Sequence, residues 1–199
     1  ASRGLGDVYK RQIFTRGGTN FVEQDTSAYA LYAQGDYKFN DKLTLTLGGR
    51  YSYENKDFSV RSVKANGDPN YSKALEKSWN RPDWKVLLSY DFSDNVMSYA
   101  SVTTGFKSGG FNGRGTTYAT VTPVDAETLR AYEVGVKSTL WDNRLRLNAD
   151  YYRLDYDGIQ LTAVNSDGVF VMTNATGALI QGIEVEAVSY THLTLPTKR

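Results

Sequence analysis

The chain has no cysteine, and among its 199 residues there is one histidine, His192. No disulfide, thiolate nucleophile or zinc site can be assembled from such a composition, and histidine-based catalysis has a single residue to draw on. No apolar run approaches the roughly 20 residues that a membrane-spanning helix needs. That excludes helical membrane proteins but not membrane barrels, whose strands cross with about 10 residues of alternating character each. There is also little excess charge of either sign, the formal net charge being +1.

Residues 1–12, ending Gly6-Asp7-Val8-Tyr9-Lys10-Arg11-Gln12, and residues 189–199, Ser189 to Arg199, do not continue the alternation of the interior. Both stretches resemble translated sequencing-adapter read-through, with native but irregular tails as the alternative, and fold reasoning is confined to residues 13–188. Setting aside Arg3, Lys10, Arg11, Lys198 and Arg199 lowers Lys+Arg from 23 to 18, and setting aside Asp7 lowers Asp+Glu from 22 to 21, so the net charge goes from +1 to −3. A basic surface for nucleic acid then has no support, and His192 leaves with the tail. With no apparent start to its first element, the chain reads as a slice of something larger.

What is present is aromatic: 15 Tyr, 8 Phe and 3 Trp. Tyrosine joins an apolar ring to a polar tip and suits surfaces where one end is wet. Three times an aromatic runs into a polar turn with an aspartate and then into alternating apolar residues: Phe39-Asn40-Asp41-Lys42-Leu43, Phe92-Ser93-Asp94-Asn95-Val96 and Trp141-Asp142-Asn143-Arg144-Leu145. The copies lie about 50 residues apart, which indicates one reused supersecondary unit, a long β-hairpin with a tight turn.

The flanking residues keep a period of two. Tyr29, Leu31, Ala33, Gly35, Tyr37 and Phe39 share a face in a strand predicted over 27–39, and Leu43, Leu45, Leu47, Gly49, Tyr51 and Tyr53 share one in the next. Trp84, Val86, Leu88, Tyr90 and Phe92 repeat the plan, as do Tyr132, Val134, Val136 and Leu140. Polar stretches 57–80 and 107–126 read as long loops. A phase slip at Tyr151-Tyr152 suggests a bulge. The strand through it runs to about Val164, turns at 165–168, and the last strand descends from Val169 to Ala187, for seven strands in all.

Strands of 10 to 20 residues exceed the average of about 5 or 6 in globular domains, and structureless loops of 20 residues are uncommon in compact ones. Outer-membrane barrels have both features, with short periplasmic turns opposite long outer loops. The spans Tyr29 to Tyr37, Trp84 to Phe92 and Leu43 to Tyr51 each cover eight residues, about 26 Å of strand. Tilted near 40°, that projects to about 20 Å, close to the roughly 25 Å apolar band of such barrels.

Four runs carry a more specific likeness: Leu45-Thr46-Leu47-Gly48-Gly49-Arg50-Tyr51, Tyr99 to Asn112 (YASVTTGFKSGGFN), Glu127 to Lys137 (ETLRAYEVGVK) and Gly182-Ile183-Glu184-Val185-Glu186. In this order they resemble the barrel of TonB-dependent outer-membrane receptors, over nearly all of residues 27–187. The resemblance implies an all-β antiparallel meander, a partial section of a large transmembrane barrel of 22 strands whose lumen is closed by a plug domain. It implies uptake of a scarce nutrient such as a ferric siderophore, energised by the TonB complex through a plug missing from this chain. Partners would be outer-membrane lipid and a small-molecule metal chelate, with no resident cofactor, and the segment by itself would not transport.

Candidate ligand contacts in the predicted outer loop are Lys107, Phe111, Asn112 and Arg114, since loops on a rigid scaffold often carry recognition. Candidate lumen- or plug-facing residues are Arg50, Glu54, Glu133, Lys137, Glu184 and Glu186, with Lys56 and Arg146 in the same column; a generic polar lumen also accounts for them and is the reading the pattern favours. Glu133 and Lys137 stand four apart on one strand, about 13 Å, too far for a direct ion pair. The glycines from Gly105 to Gly115 lack the Lys-Ser/Thr and following helix of a phosphate loop. Asp155, Asp157 and Asp167 read as turn and surface residues before a calcium site. A passive porin, an outer-membrane enzyme and a soluble carbohydrate-binding or structural β domain remain alternatives.

Overall fold

The computed structural model describes residues 2–3, 7–15, 17–166 and 168–189. In chain order the strands are β1 (Ser2–Arg3), β2 (Asp7–Thr15), β3 (Gly18–Lys38), β4 (Leu43–Lys64), β5 (Pro69–Ser93), β6 (Val96–Lys107), β7 (Gly110–Phe111), β8 (Pro123–Val124), β9 (Glu127–Leu140), β10 (Leu145–Asp157), β11 (Gln160–Val164), β12 (Phe170–Asn174) and β13 (Ala178–Ser189). Seven long strands make one antiparallel meander in the order β3-β4-β5-β6-β9-β10-β13, with β1 and β2 on the free side of β3. β7 pairs with β8 and β11 with β12 as two small sheets of their own.

The register explains why the alternation is so regular. Tyr37, Leu45, Leu88, Ala100, Val134, Tyr151 and Ile183 are successive cross-strand partners, an unbroken apolar row across all seven strands. Many of that face's side chains, such as Leu47, Val134 and Ile183, are exposed. In water this would be a large unpartnered apolar patch; against hydrocarbon it is the stable arrangement. One residue over in each strand, the register aligns Asp36, Thr46, Leu87, Ser101, Glu133, Tyr152 and Gly182 on the opposite, polar face.

The repeated aspartate motifs all sit in tight turns at one end. Asn40 Oδ1 accepts the N–H groups of Lys42 and Leu43 at 2.8 and 2.9 Å, a side chain standing in for a backbone partner. At the third turn Trp141, Asp142 and Asn143 all take left-handed backbone, with φ of 54°, 54° and 67°.

Away from these turns the structure differs from the sequence expectation in five respects. Residues 57–80 are not a loop: β4 and β5 continue through them, and only the turn 65–68 joins the two. Their polarity is two-sided but periodic, with Phe58, Val60 and Ser62 buried while Asp57, Ser59 and Arg61 between them are exposed. After Tyr53 the outward face of β4 turns polar, with Asn55, Asp57, Ser59 and Arg61 before Val63, and the 11 residues to Lys64 carry the hairpin about 35 Å further along the strand. Pro82 fits there because β6 pairs with β5 only from Lys85 onward, which leaves one edge of β5 without a ladder to break.

β3 likewise begins at Gly18 rather than Ser27 and pairs with β4 along its whole length. β2 pairs with Gly18–Thr26 in turn, so residues 7–12, set aside at the sequence level, form regular strand. No bulge occurs at Tyr151-Tyr152, where the β9–β10 and β10–β13 registers are continuous. Tyr151 faces outward beside Val134 and Ile183 and Tyr152 inward beside Glu133 and Gly182, so two adjacent tyrosines simply take opposite faces. Finally, the sixth and seventh strands are interrupted: β10 stops at Asp157 and β13 starts at Ala178, with the β11–β12 hairpin between them. Gly158 (φ 64°) and Gly177 (φ 152°) supply the two bends, conformations that side chains with a Cβ resist.

Candidate functional site

The principal buried apolar cluster lies on the polar face of the sheet, at the end away from the aspartate turns. Val22, Phe58, Val60 and Trp79 project from β3, β4 and β5, and Phe111 and Val121 come down on them from the segment 107–126. That segment is therefore not a loose loop but a strap folded over the wall. Phe111 stacks on Phe58 with centroids 5.0 Å apart and meets Trp79 edge-on at 5.9 Å. Gly109 is a requirement of the same packing, since a Cβ there would lie 2.4 Å from the Trp79 ring.

Polar contacts surround this apolar seam. Lys56 Nζ donates to Gly109 O at 2.6 Å and Ser108 Oγ at 2.9 Å, while Ser108 Oγ donates to Glu54 Oε1 at 2.6 Å. Lys56 and Glu54 are themselves paired at 2.9 Å. Further out, Asn20 Nδ2 donates to the carbonyls of Gly113 and Gly115 at 3.0 and 2.8 Å, and the Tyr71 hydroxyl donates to Gly115 O. Burial pushes the Tyr71 phenol pKa up, so the hydroxyl remains a donor. Lys73 caps the Tyr118 and Val121 carbonyls, and Lys77 pairs with Asp125 at 2.7 Å.

The four candidate ligand contacts separate into two groups. Phe111 is 7% and Asn112 2% exposed. Asn112 braces the strap internally, donating to Thr120 O at 2.9 Å and accepting the Arg114 N–H at 3.3 Å. Lys107, at the end of β6, and Arg114 are exposed, and the Arg114 guanidinium lies 6.0 Å over the Phe170 ring of β12. Sequence reasoning passed over Asn20, Tyr71, Lys73, Lys77 and Trp79. The alternation in 57–80 was the signal that could have found the last four, whereas nothing local marks Asn20, whose partners Tyr71, Gly113 and Gly115 are 51 to 95 residues away.

The inward column also divides by depth. Glu54 and Lys56 are committed to the strap, and Arg50 Nε donates to Ser52 Oγ at 2.9 Å. Towards the turns, Glu133 and Lys137 flank Gly135, and the Tyr99 ring lies across that glycine from the neighbouring strand. The Tyr99 hydroxyl donates to the Glu133 carboxylate, and Lys137 Nζ stands 5.2 Å from the ring centroid, so Tyr99 mediates between two residues that form no ion pair. Asp150 is directly opposite Glu184 across β10–β13, and Asn148 Nδ2 donates to Glu186 Oε2 at 2.9 Å. Three carboxylates, those of Glu133, Asp150 and Glu184, thus occupy adjoining positions on three neighbouring strands.

A Cβ at Gly135 would meet the Tyr99 ring at 2.8 Å. Gly135→Val is therefore expected to displace Tyr99 from Glu133 and to cost about 1–3 kcal/mol, as overpacking does. Denaturant unfolding of the barrel in lipid is the measurement, and an unchanged midpoint would refute the role given to the ring.

Among the described residues no group of three or more acids or histidines could hold a metal. Asp155 pairs with Arg153 at 3.0 Å, Asp157 ends β10, and Asp167 and His192 lie outside the described residues.

The family model described as TonB dependent receptor-like, beta-barrel, matches residues 3–196. The ferric-pyoverdine receptor PbuA of a Pseudomonas strain is 32% identical over 145 residues, covering 70% of this chain and 16% of the relative. A ferric-pyoverdine receptor of Pseudomonas putida is 26% identical over 181 residues, covering 88% and 20%. The chain thus spans about a fifth of the length of these relatives. Among solved structures, the ferric yersiniabactin uptake receptor FyuA of Yersinia pestis superposes with a TM-score of 0.75 at 20% identity, over 86% of this chain and 25% of that one. The ferric-catecholate import receptor Fiu of E. coli gives 0.62 at 19%, over 88% and 27%. The two structural likenesses show the fold, a section of β-barrel wall, and the family model is one of receptors and not of enzymes. Open sheet, lipid-compatible outer face, tight turns opposite long outer elements and the family match agree: the chain belongs to the β-barrel family of TonB-dependent outer-membrane receptors.

Proposed function

We propose that the chain forms part of the barrel wall of an active-transport receptor for a ferric siderophore, energised by the TonB complex acting on a plug domain against the inner face. The observation that carries the plug is the carboxylate group on β9, β10 and β13. Like charges directly opposite one another destabilise a sheet, and Asp150 opposite Glu184 with Glu133 on the adjoining strand invites a cationic cover. An open aqueous pore needs no such arrangement. In this proposal Glu133, Glu184 and Glu186 meet basic side chains of the plug, and Arg50 and Lys137 its acidic or carbonyl groups. The siderophore class rests on the relatives named as ferric-pyoverdine receptors. Lys107 and Arg114 are the ligand-facing residues, whereas Phe111 and Asn112 position them.

Among the described residues the nine-stranded sheet is unclosed and encloses no pathway, so in this proposal the chain contributes wall and does not transport by itself. Recovering the surrounding reading frame from source DNA and expressing it in a siderophore-receptor-deficient, iron-limited strain tests the proposal. The expected result is an encoded plug domain and growth on a ferric siderophore that is lost on deleting tonB. A frame without a plug, or a steady ion conductance in planar bilayers, would instead indicate a porin. The same sequence tests our attribution of residues 1–12 and 189–199 to adapter read-through, since native codons continuing through either stretch would overturn it.

A further inference from the structure

The strap is held from below and from the side by different sets of contacts. From below come the aromatic seam and the donors Asn20, Lys56, Tyr71 and Lys73, from three strands of the wall. From the side, Asn174 of β12 accepts the Asp125 N–H at 2.9 Å and donates to the carbonyls of Asp125 and Gly158 at 2.9 and 2.7 Å. Gln160 of β11 donates through its side chain to the carbonyls of Ser108 and Asp125 at 2.8 and 3.0 Å, and its N–H reaches Glu127 Oε2 at 2.9 Å. These contacts bind the strap to the hairpin at both ends of the strap.

We propose that residues 107–126 and the β11–β12 hairpin are one preassembled shelf that stays latched to β3, β4 and β5 with or without ligand, so that at this position the mouth is shaped by a fixed body and not by a closing gate. Undocking would bring Phe111, Val121, Phe58, Val60 and Trp79 into water together. It would also strip the Asn20 amide, fully buried, of both its carbonyl acceptors. Loops that gate are drawn from the low-stability end of a structure, with few buried contacts, and this segment is at the other end of that scale. The consequence for recognition is preorganisation: Arg114 and Phe170, on the two halves of the shelf, present their guanidinium and ring in a fixed relation to an incoming anionic chelate. The inference deepens the receptor reading and depends on it only for what the shelf meets.

These 199 residues contain no cysteine, so within them only an introduced thiol can react, and the receptor without introduced cysteines gives the background from the rest of the protein. A Cβ at Gly113 would stand 3.2 Å from a Val22 methyl, which puts cysteines at 22 and 113 within disulfide reach. In the full-length receptor on intact cells, Val22→Cys and Gly113→Cys singly should react with a bulky maleimide at least about tenfold more slowly than Ser166→Cys on the exposed hairpin tip, with ferric pyoverdine present or absent. Labelling as fast as at Ser166→Cys, or labelling accelerated by ferric pyoverdine, would overturn the latch. The double variant, oxidised, should support iron-limited growth on a ferric siderophore as well as when reduced; growth lost on oxidation and restored by reductant would mean that the strap must open. Should no ferric siderophore support growth even of the unmodified receptor, the functional reading fails, while the labelling rates still decide whether the shelf is fixed.

Discussion

Replacing Phe111 by alanine is expected to shift the strap from almost wholly docked towards measurably open, because that ring is the largest apolar group joining residues 107–126 to the wall. A buried Phe→Ala change costs about 3–5 kcal/mol, and 3 kcal/mol is on the order of a hundredfold in the docked-to-open ratio. The cost falls on one local equilibrium and leaves the barrel ladders untouched, so global unfolding should move far less than strap opening. Limited proteolysis within 113–122 in the full-length receptor reads it. Phe111→Ala should be nicked far faster than wild type, and Arg114→Ala, which removes an exposed side chain, should be nicked at the wild-type rate. Equal rates for the two variants would remove the aromatic seam from the account. A double-mutant cycle with Phe58→Ala should return a coupling of about 0.5–1.5 kcal/mol for the stacked pair.

That expectation depends on contacts which the sequence did not disclose, and the reason is physical. Period-two alternation reports which face of a strand a residue occupies, so the apolar row from Tyr37 through Leu45 and Leu88 was legible, as was the common polar face of Arg50, Glu54, Glu133, Lys137, Glu184 and Glu186. The aspartate turns were legible because Asn40 and its counterparts act within a few residues of themselves. Alternation says nothing about what lies over a face. Phe111 and Asn112 sit in a glycine-rich polar stretch and look like recognition residues; only the return of that stretch over Phe58 and Trp79 makes one an anchor and the other a brace. Residues 57–80 misled for a related reason: a hairpin standing in water has polar residues on both faces, and composition then resembles a loop although the burial keeps a period of two.

The two faces should respond oppositely to charge, and at mid-depth the difference is large. Leu47 is in the apolar row between the tight turns and Tyr53, half exposed on a face whose neighbours are Gly35 and Val86. An arginine there must lose its hydration in hydrocarbon or distort the bilayer, at about 2–4 kcal/mol near the midplane. Ser101 lies at a similar depth on the other face, between Leu87 and Glu133. An arginine at that position finds a carboxylate beside it and costs little. Urea unfolding of the complete barrel in lipid vesicles should therefore show Leu47→Arg strongly destabilised and Ser101→Arg within about 1 kcal/mol of wild type. Leu47→Gln tightens the comparison, because a neutral polar side chain should fall between the two. If instead Leu47→Arg were tolerated while Ser101→Arg unfolded the protein, the assignment of the faces would be inverted: the apolar row would be a core facing another protein layer, and the polar face would not be the lumen.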